Sequence, residues 1–261
     1  HMKLDMQLTE SGYKPSEKPP RLSVWLTNAL EPAEREVRDL FFQPLAEEAR
    51  GASEVKRQSP IMCVIGNPPY SGISQNNGGW ITGLIEEYKY IDGEHFGERK
   101  HWLQDDYVKF IRMAEHLISS NPSGGVLGFI TNHGYLDNPT FRAMRWHLLR
   151  TFDKVWVVDL HGNANKQETP PDGIIDKNVF DIRQGVALIV AARRSTGAGA
   201  LGTICHGELW GEREFKYDAL WSGDLTSLSP TPLPARPKNF DFVLRNAASS
   251  TYDAAIKVID L

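Results

Sequence analysis

The sequence predicts an α/β fold whose strands run parallel to one another. Three short apolar runs, residues 61–65, 126–130 and 155–160, have the length and the β-branched content of buried strands. Residues 105–119 and 139–149 separate these runs and predict helices, because their apolar side chains recur at helical spacing. A strand–helix–strand–helix–strand order is typical of a sheet whose parallel strands are connected by helices.

Two further elements are expected before the first of these strands. Residues 21–26 alternate between polar and apolar side chains, which predicts a short strand. Residues 31–50 have helical spacing, and Pro32 stands in the first turn, where proline costs no hydrogen bond. The sequence therefore predicts a strand and then a helix upstream of residue 61.

Loops and a hairpin complete the expected fold. Residues 73–97 are rich in glycine, asparagine and charge, and residues 161–177 contain glycine, asparagine, lysine and two adjacent prolines. Both compositions predict long loops. Residues 179–180 and 185–192 indicate the two arms of a β-hairpin or of a bulged strand.

The length and composition predict one large globular domain, or one domain with part of a second. The chain has 261 residues, of which 41% are hydrophobic, and a net charge of −4 from 29 Lys and Arg against 33 Asp and Glu. A free-standing DNA-binding domain is usually basic, so this balance argues against the chain being the main DNA-gripping surface.

Cysteine and histidine usage predicts neither a disulfide framework nor a metal site. Cys63 and Cys205 form no cluster, and the histidines have no metal-ligand spacing, so we expect no metal. A reducing cytoplasm is the simplest interpretation. No apolar run approaches the roughly 18 residues that span a membrane, and the N-terminus has no signal-peptide pattern. We expect His1-Met2 to be a cloning remnant.

The segment with the most chemical content is Asn67-Pro68-Pro69-Tyr70, which directly follows the strand predicted at residues 61–65. Functional groups in open parallel sheets gather at the carboxyl ends of the strands. Two consecutive prolines fix the backbone and remove two N–H donors, which leaves a rigid turn that presents carbonyl oxygens and the Asn67 amide. These oxygens match the two hydrogens of an exocyclic amino group, and Tyr70 offers a flat face for stacking on a base.

This turn resembles the (D/N/S)PP(Y/F/W) signature of the amino-methyltransferases. Residues 124–131, 157–163 and 179–187 resemble, in order, the strand after the catalytic helix, the next strand and loop, and the hairpin with a second aromatic residue. From about residue 3 to residue 193, and more weakly to residue 261, the sequence is similar to the methyltransferase domains of single-chain restriction–modification enzymes, including the type ISP and type IIG kinds.

The resemblance implies a fold, a reaction and its partners. The fold is the C-terminal part of a Rossmann-like, S-adenosylmethionine-dependent methyltransferase domain with a terminal β-hairpin, followed by the start of a target-recognition region. The reaction is methyl transfer from S-adenosylmethionine to the N6 amino group of adenine in double-stranded DNA, within a restriction–modification system of the bacterial cytoplasm. The adenine must be flipped out of the duplex. The resemblance also implies, as further partners, the remaining domains of a longer polypeptide. It implies no membrane partner.

The same resemblance assigns roles to individual residues. Asn67 and the Pro68 carbonyl bind the amino group, Pro69 completes the catalytic turn, Tyr70 stacks on the flipped adenine, and Phe180 makes a further contact with the base. The adenine amino nitrogen is a poor nucleophile because its lone pair is delocalised into the ring. Two acceptors that hold its hydrogens favour a pyramidal nitrogen, and positioning alone supplies roughly 7–11 kcal/mol, so no strong base or metal is required.

The sequence matches the cofactor-binding residues of the relatives less fully than it matches their catalytic turn. Thr27 and Asn28 stand where relatives hold an aspartate that recognises the cofactor adenine, and Asn67 is expected to face the cofactor as well. The Gly-rich cofactor loop of the relatives has no counterpart before Leu22. We therefore expect a partial methyltransferase domain over residues 3–195, a linker and the start of a target-recognition region over residues 196–261, and little or no activity from this piece alone.

Two other functions fit the same residues. Protein-glutamine and RNA methyltransferases also use an Asn-Pro-Pro-Tyr turn to hold an amino group, and the piece could bind DNA or a partner without catalysis. The basic stretch within residues 142–154 is interpreted as a solvated helix face slightly more readily than as a phosphate contact. Residues 161–166 are interpreted either as a contact to the DNA backbone or the cofactor side of the pocket, or as a polar loop that closes a strand.

Overall fold

The structure is a computed structural model that describes residues 2–14, 23–33, 43–70, 72, 74–97, 101–166, 168–171, 173–194, 200–234 and 239–244. The chain divides into two compact units, His1–Ser59 and Pro60–Leu261. The helices are α1 (Met2–Glu10), α2 (Gln43–Gln58), α3 (Gly79–Glu86), α4 (Asp106–Ser119), α5 (Arg142–Thr151), α6 (Arg213–Ser222) and α7 (Leu225–Leu228). The strands are β1 (Cys63–Gly66), β2 (Tyr90–Ile91), β3 (Glu94–His95), β4 (Gly125–Asn132), β5 (Lys154–Asp159), β6 (Val186–Arg193), β7 (Thr203–Glu208) and β8 (Thr231–Leu233).

Six of these strands form one mixed sheet in the order β1-β4-β6-β5-β7-β8. The pairs β1–β4 and β5–β7 are parallel, whereas β6 runs antiparallel to both β4 and β5. The strands β1, β4, β5 and β7 consequently point in one direction, and their carboxyl ends lie at one edge. The predicted α/β class is confirmed, and the common direction of the three predicted strands is confirmed with it.

The main core lies between this sheet and the helices α4 and α5. The helix α4 follows the predicted span closely, and α5 is preceded by a 3-10 turn at Pro139–Phe141, so both predicted helices are confirmed. Apolar side chains of α4 recur at helical spacing and are fully buried against the central strands. They include Val108, Ile111, Ala114 and Ile118 from the helix, and Leu127, Val155, Val157 and Ile189 from the sheet.

The strand β1 is more exposed than the sequence predicts. Residues 61–65 have the pattern of a strand buried on both faces, yet Ile65 is 83% exposed and Met62 is 58% exposed. The reason is topological: β1 stands at the end of the strand order and pairs only with β4 among the described residues. An apolar run predicts a strand, but it does not say whether both of its sides have neighbours.

The loop predicted at residues 73–97 is only partly a loop. Within it, α3 buries Ile81, Leu84 and Ile85 on one face, and the strands β2 and β3 form a short antiparallel pair. The apolar residues at i, i+3 and i+4 carry the helix, although the surrounding glycine, asparagine and charge conceal it. This part of the prediction was wrong.

The predictions for the first unit were also partly wrong. Ser23 to Leu26 have no strand, and Leu26 donates its N–H to Oε2 of Glu48 at 3.0 Å instead of to another strand. The helix expected at residues 31–50 is found in part as α2, which runs to Gln58, whereas residues 31–33 are not helical. Residues 21–22 and 34–42 lie outside the described residues.

The expected hairpin is formed in one arm only. The strand β6 matches the second arm, but residues 179–180 form a bend because the Asn178 side chain accepts the N–H of Phe180 at 2.9 Å. The residues that follow β6 return to the sheet, since β7 pairs with β5 and β8 pairs with β7. The division at residues 195 and 196 stays a prediction, and residues 195–199 and 245–261 lie outside the described part.

None of the described helices has both the length and the apolar composition that crossing a membrane requires.

Candidate functional site

The Asn67-Pro68-Pro69-Tyr70 turn leaves the sheet at the carboxyl end of β1, as predicted. Pro68 is buried and Tyr70 is half-buried, while Asn67 and Pro69 are exposed. One proline and one aromatic ring therefore anchor the turn, and Asn67 projects from it. This is the geometry that a rigid presenter of hydrogen-bond acceptors needs.

Tyr70 is held by its hydroxyl and by the edge of its ring. The hydroxyl donates a hydrogen bond to Oδ1 of Asn67 at 3.2 Å, and the ring makes an edge-on contact with Tyr107, with 6.3 Å between centroids and 88° between planes. Burial raises the pKa of Tyr70 to about 12, so the hydroxyl remains a donor near neutral pH. The ring and the Asn67 amide consequently form one coupled unit.

A cavity of about 410 Å³ opens beside Tyr70, within the usual range for small-molecule sites. Its walls come from the turn after β1, the end of β4 and the start of α4, which are different segments at the same edge of the sheet. Aromatic rings and side-chain amides make up much of its lining. The lining includes Tyr70, Trp102, Tyr107, Asn132, Phe141 and Gln184.

Phe180 lines a different cavity, of about 450 Å³. Its bend is fixed by Asn178, whose amide donates to the carbonyls of Gly162 at 3.0 Å and Gln184 at 2.7 Å. Arg183 and Arg213 also line this cavity. The bend thus positions an aromatic ring beside two guanidinium groups.

Tyr70 and Phe180 meet through a shared apolar cluster rather than through a shared cavity. Both rings pack against the cluster formed by Val158, Leu160, Val179 and Val186. The structure therefore brings the two predicted base-contacting rings to one side of the sheet edge, where they line separate openings. Their assignment to a base stays a prediction.

Thr27 and Asn28, predicted to contact a cofactor, are exposed and belong to the first unit. The Asn28 side chain is used locally: Oδ1 accepts the N–H of Leu30 at 3.0 Å, and Nδ2 donates to Oε1 of Glu31 at 3.1 Å. Lys56 also donates to the Asn28 carbonyl, at 2.7 Å. These bonds fit a turn, and the cofactor contact stays a prediction.

The basic stretch within residues 142–154 is not uniformly a solvated face. Arg145 is fully buried and donates to backbone carbonyls, among them those of Tyr135 at 2.7 Å and Asn239 at 2.8 Å. Arg150 is exposed, and the Lys154 ammonium lies 4.7 Å from the centre of the Trp156 ring. The expectation of a solvated face is therefore wrong for Arg145, which is a core hydrogen-bond donor.

A buried polar cluster that was not expected from the sequence lies at the same sheet edge. His133 follows β4, Asp159 ends β5, and His161 lies two residues further on. Nδ1 of His133 lies 3.0 Å from Oδ1 of Asp159, and the His161 N–H donates to that same oxygen at 2.9 Å. Burial alone would raise the pKa of Asp159, but the hydrogen bond and attraction of His133 outweigh it and hold that pKa below its usual range. The available signal was the position of each residue just at or after a strand end.

The comparisons with known proteins assign the chain to a family. The model of the "Eco57I restriction-modification methylase" family matches residues 28–165, which is more than half of the chain and includes the Asn67–Tyr70 turn. The chain belongs to this family. The comparison with curated proteins gives no match.

Solved structures of restriction–modification enzymes share the fold of this Eco57I-family chain. The "ATP-dependent Type ISP restriction-modification enzyme LlaBIII bound to DNA" has a TM-score of 0.68 at 23% identity, covering 85% of this chain and 15% of that one. The DrdV–DNA complex has a TM-score of 0.60 at 22% identity, covering 76% of this chain and 20% of that one. A nuclease-deletion mutant of the type ISP enzyme LlaGI, in complex with a DNA substrate mimic, has a TM-score of 0.60 at 19% identity. The match covers 79% of this chain and 20% of that one.

The chain spans 15% to 20% of the length of those three solved chains, so the shared part is the α/β unit described above. The predicted restriction–modification methyltransferase domain is confirmed as family and fold.

Proposed function

We propose that this chain carries the catalytic half of a DNA methyltransferase that transfers a methyl group from S-adenosylmethionine to the N6 amino group of adenine. The observation that carries the proposal is the rigid Asn67–Tyr70 turn at the carboxyl end of β1, in a chain of a restriction–modification methylase family. Open α/β sheets bind their ligands at this edge. The structurally similar proteins were solved as complexes with DNA or with a DNA substrate mimic, which supports the choice of substrate.

The turn acts on the amino group through two acceptors. Oδ1 of Asn67 and the Pro68 carbonyl accept the two amino hydrogens, which favours a pyramidal nitrogen with an available lone pair. That lone pair forms the new bond to the methyl carbon, the sulfonium sulfur keeps the electrons of the broken bond, and one amino proton leaves to water. Asn67 already accepts the Tyr70 hydroxyl, and a carbonyl oxygen has two lone pairs, so the turn can hold both partners.

The aromatic residues hold the base. Tyr70 stacks on the flipped adenine, and the neighbouring cavity of about 410 Å³ accommodates it between aromatic and amide side chains. Phe180 packs on the same apolar cluster as Tyr70 and contacts the base from the bend that precedes β6. Thr27 and Asn28 contact the adenine of the methyl donor, and the donor supplies the methyl group.

The test is the transfer of labelled methyl groups to unmethylated duplex DNA. We would assay this chain, and in parallel the longest natural polypeptide that contains it, each with the Asn67→Ala variant. We expect label on adenine N6 with the longer polypeptide and little or none with this chain alone. We expect Asn67→Ala to lower the turnover of the longer polypeptide by about 10²–10³-fold, as for loss of one preorganised hydrogen-bonding group. Affinity for S-adenosylmethionine should change little.

A matched control and the rival substrates complete the design. Gln58→Ala removes an exposed amide at the end of α2 and should leave turnover unchanged. Equal losses of turnover and donor affinity in Asn67→Ala would make Asn67 a structural residue. Label on a glutamine-containing protein or on RNA, with none on DNA, would replace the DNA assignment.

A further inference from the structure

A buried group of metal-ligating side chains lies at the carboxyl ends of β4 and β5, and nothing in the proposed methyl transfer uses it. We call it the His133–His161 cluster: His133, Asp159 and His161, with Glu168 beside them. His133 is 4% exposed, Asp159 6% and His161 6%. One ligand atom from each of these three residues lies within 4.8 Å of the other two.

The spacing of the cluster matches a small coordination sphere. Two ligands at about 2.0–2.1 Å from a tetrahedral zinc ion lie about 3.3 Å from each other. Here Nδ1 of His133 is 3.0 Å from Oδ1 of Asp159, and Nδ1 of His161 is 3.8 Å from that oxygen. Oε2 of Glu168 lies 3.6 Å from Nδ1 of His161, so Glu168 lies beside the cluster without belonging to the group of mutually close ligand atoms. The two separations within the cluster bracket the tetrahedral value.

The His161 ring takes no part in the hydrogen bonds of the cluster. Both of its ring nitrogens are buried without a hydrogen-bond partner among the described residues, and Oε2 of Glu168 is in the same condition. A buried polar atom without a hydrogen-bond partner destabilises the fold, so such atoms call for a ligand or a partner. The ring is also fixed in orientation, because it stacks on Trp210 at 14° between planes.

The His161 backbone is held in an unusual conformation. Its φ is +50°, in the left-handed region that residues other than glycine seldom adopt. Strain of this kind persists where the surrounding structure requires it, and it concentrates at ligand sites. The strained turn points the ring towards Asp159 and Glu168.

We propose that His133, Asp159 and His161 bind one divalent transition-metal ion, with zinc as the best match. Two imidazoles and one carboxylate suit zinc, because imidazole nitrogen and carboxylate oxygen are both among its usual ligands, and a water molecule would complete the tetrahedron. The ion takes the place of the proton that Nδ1 of His133 shares with Asp159. The histidine hydrogen then moves to Nε2, and the Asn163 amide, whose Nδ2 lies 2.8 Å from that nitrogen and donates to it, has to turn away.

The proposal departs from the expectation that the chain has no metal, which stays untested. That expectation rests on spacing within the sequence, whereas these ligands come from the ends of two strands that are separated by β6 in the sheet. A bound ion would join the segment after β4 to the loop after β5. The proposal stands independently of the methyl-transfer reaction.

The experiment is a titration of the whole chain with cobalt(II), which replaces zinc and has a visible absorption that reports coordination. We expect one tightly bound cobalt ion per chain with the strong absorption of a tetrahedral site, and displacement of that absorption by zinc. Binding at the exposed Cys63 would instead add a sulfur charge-transfer band. That band, without the tetrahedral absorption, would overturn the proposal.

Two variants distinguish ligation from folding. His161→Gln removes a ring that has no hydrogen-bond partner, so the fold should survive while cobalt affinity falls by more than about 100-fold, beyond the loss typical of outer-sphere changes. His95→Ala removes an exposed histidine and should leave affinity unchanged. Zinc should raise the Tm of the original chain and of His95→Ala but not that of His161→Gln. Equal cobalt affinity in His161→Gln and the original chain would overturn the proposal.

Discussion

The hydroxyl of Tyr70 donates a hydrogen bond to Oδ1 of Asn67 at 3.2 Å, which joins the proposed stacking ring to the proposed amino-group acceptor. The ring and the hydroxyl can be separated by mutation. Tyr70→Phe keeps the ring and should retain most activity, since a neutral hydrogen bond contributes about 0.5–1.5 kcal/mol. Tyr70→Ala loses the stacking face, worth about 1–3 kcal/mol, and should lower kcat/KM for methyl transfer by about 5- to 150-fold.

The test compares kcat/KM for methyl transfer between Tyr70→Phe and Tyr70→Ala. Both variants should be made in the longest natural polypeptide that contains the chain and assayed on the same adenine-containing duplex. Equal losses in Tyr70→Phe and Tyr70→Ala would show that the hydroxyl, rather than the ring, supports the reaction.

The Tyr70 hydroxyl should also lose its proton at a higher pH than an ordinary tyrosine. Burial favours the neutral phenol in the folded state and raises the pKa of Tyr70 to about 12, above the ordinary value of 10.0. A raised folded pKa stabilises the fold below about pH 10, and this contribution is lost as the pH rises towards 12. The phenolate absorption of the original chain minus that of Tyr70→Phe isolates this group. A difference curve with its midpoint near 10 would contradict the observed burial.

Several elements could be predicted from the sequence because local pattern determines them. The apolar runs at β1, β4 and β5 and the helical spacing of α4 are local signals, and the position of Asn67 after a strand follows from chain order. The direction of β6 is different. Its residues predict a strand, but its insertion between β4 and β5 depends on packing across the sheet.

Other features depend on partners that are distant in sequence. Arg145 lies on a helix with other basic residues, so its charge favours an exposed position. The carbonyls of Tyr135, Asn138 and Asn239 converge on its guanidinium, and only the fold brings them together. The His133–His161 cluster was missed for the same reason, because His133 and Asp159 are 26 positions apart.

Arg145 should be among the most sensitive core positions. Its guanidinium is fully buried and satisfies several backbone carbonyls, so Arg145→Ala leaves those carbonyls without a donor. We expect a loss of about 3–5 kcal/mol in the free energy of unfolding, as for the removal of one partner from a buried charged network. Urea unfolding followed by circular dichroism measures it. Arg150→Ala, on the exposed side of the same helix, should cost no more than about 1 kcal/mol, as for an exposed charged side chain.

Substitutions at two glycines in the loop after β5 can distinguish the effect of backbone strain from the effect of close packing. Gly162 and Gly173 both have positive φ, +75° and +71°, so alanine at either position should cost about 1–2 kcal/mol of stability. A Cβ on Gly162 would lie 2.4 Å from Cα of Asn178, whereas one on Gly173 meets nothing within 4 Å. Gly162→Ala should therefore also displace the bend that Asn178 holds, and Phe180 with it.

The predicted difference is functional as well as energetic. Both variants should lose stability in urea, but only Gly162→Ala should in addition raise the KM for duplex DNA, because only it moves the Phe180 ring. Similar KM values for Gly162→Ala and Gly173→Ala would mean that the Phe180 bend does not contact the substrate. A higher KM in Gly162→Ala alone would connect the loop after β5 to recognition of the base.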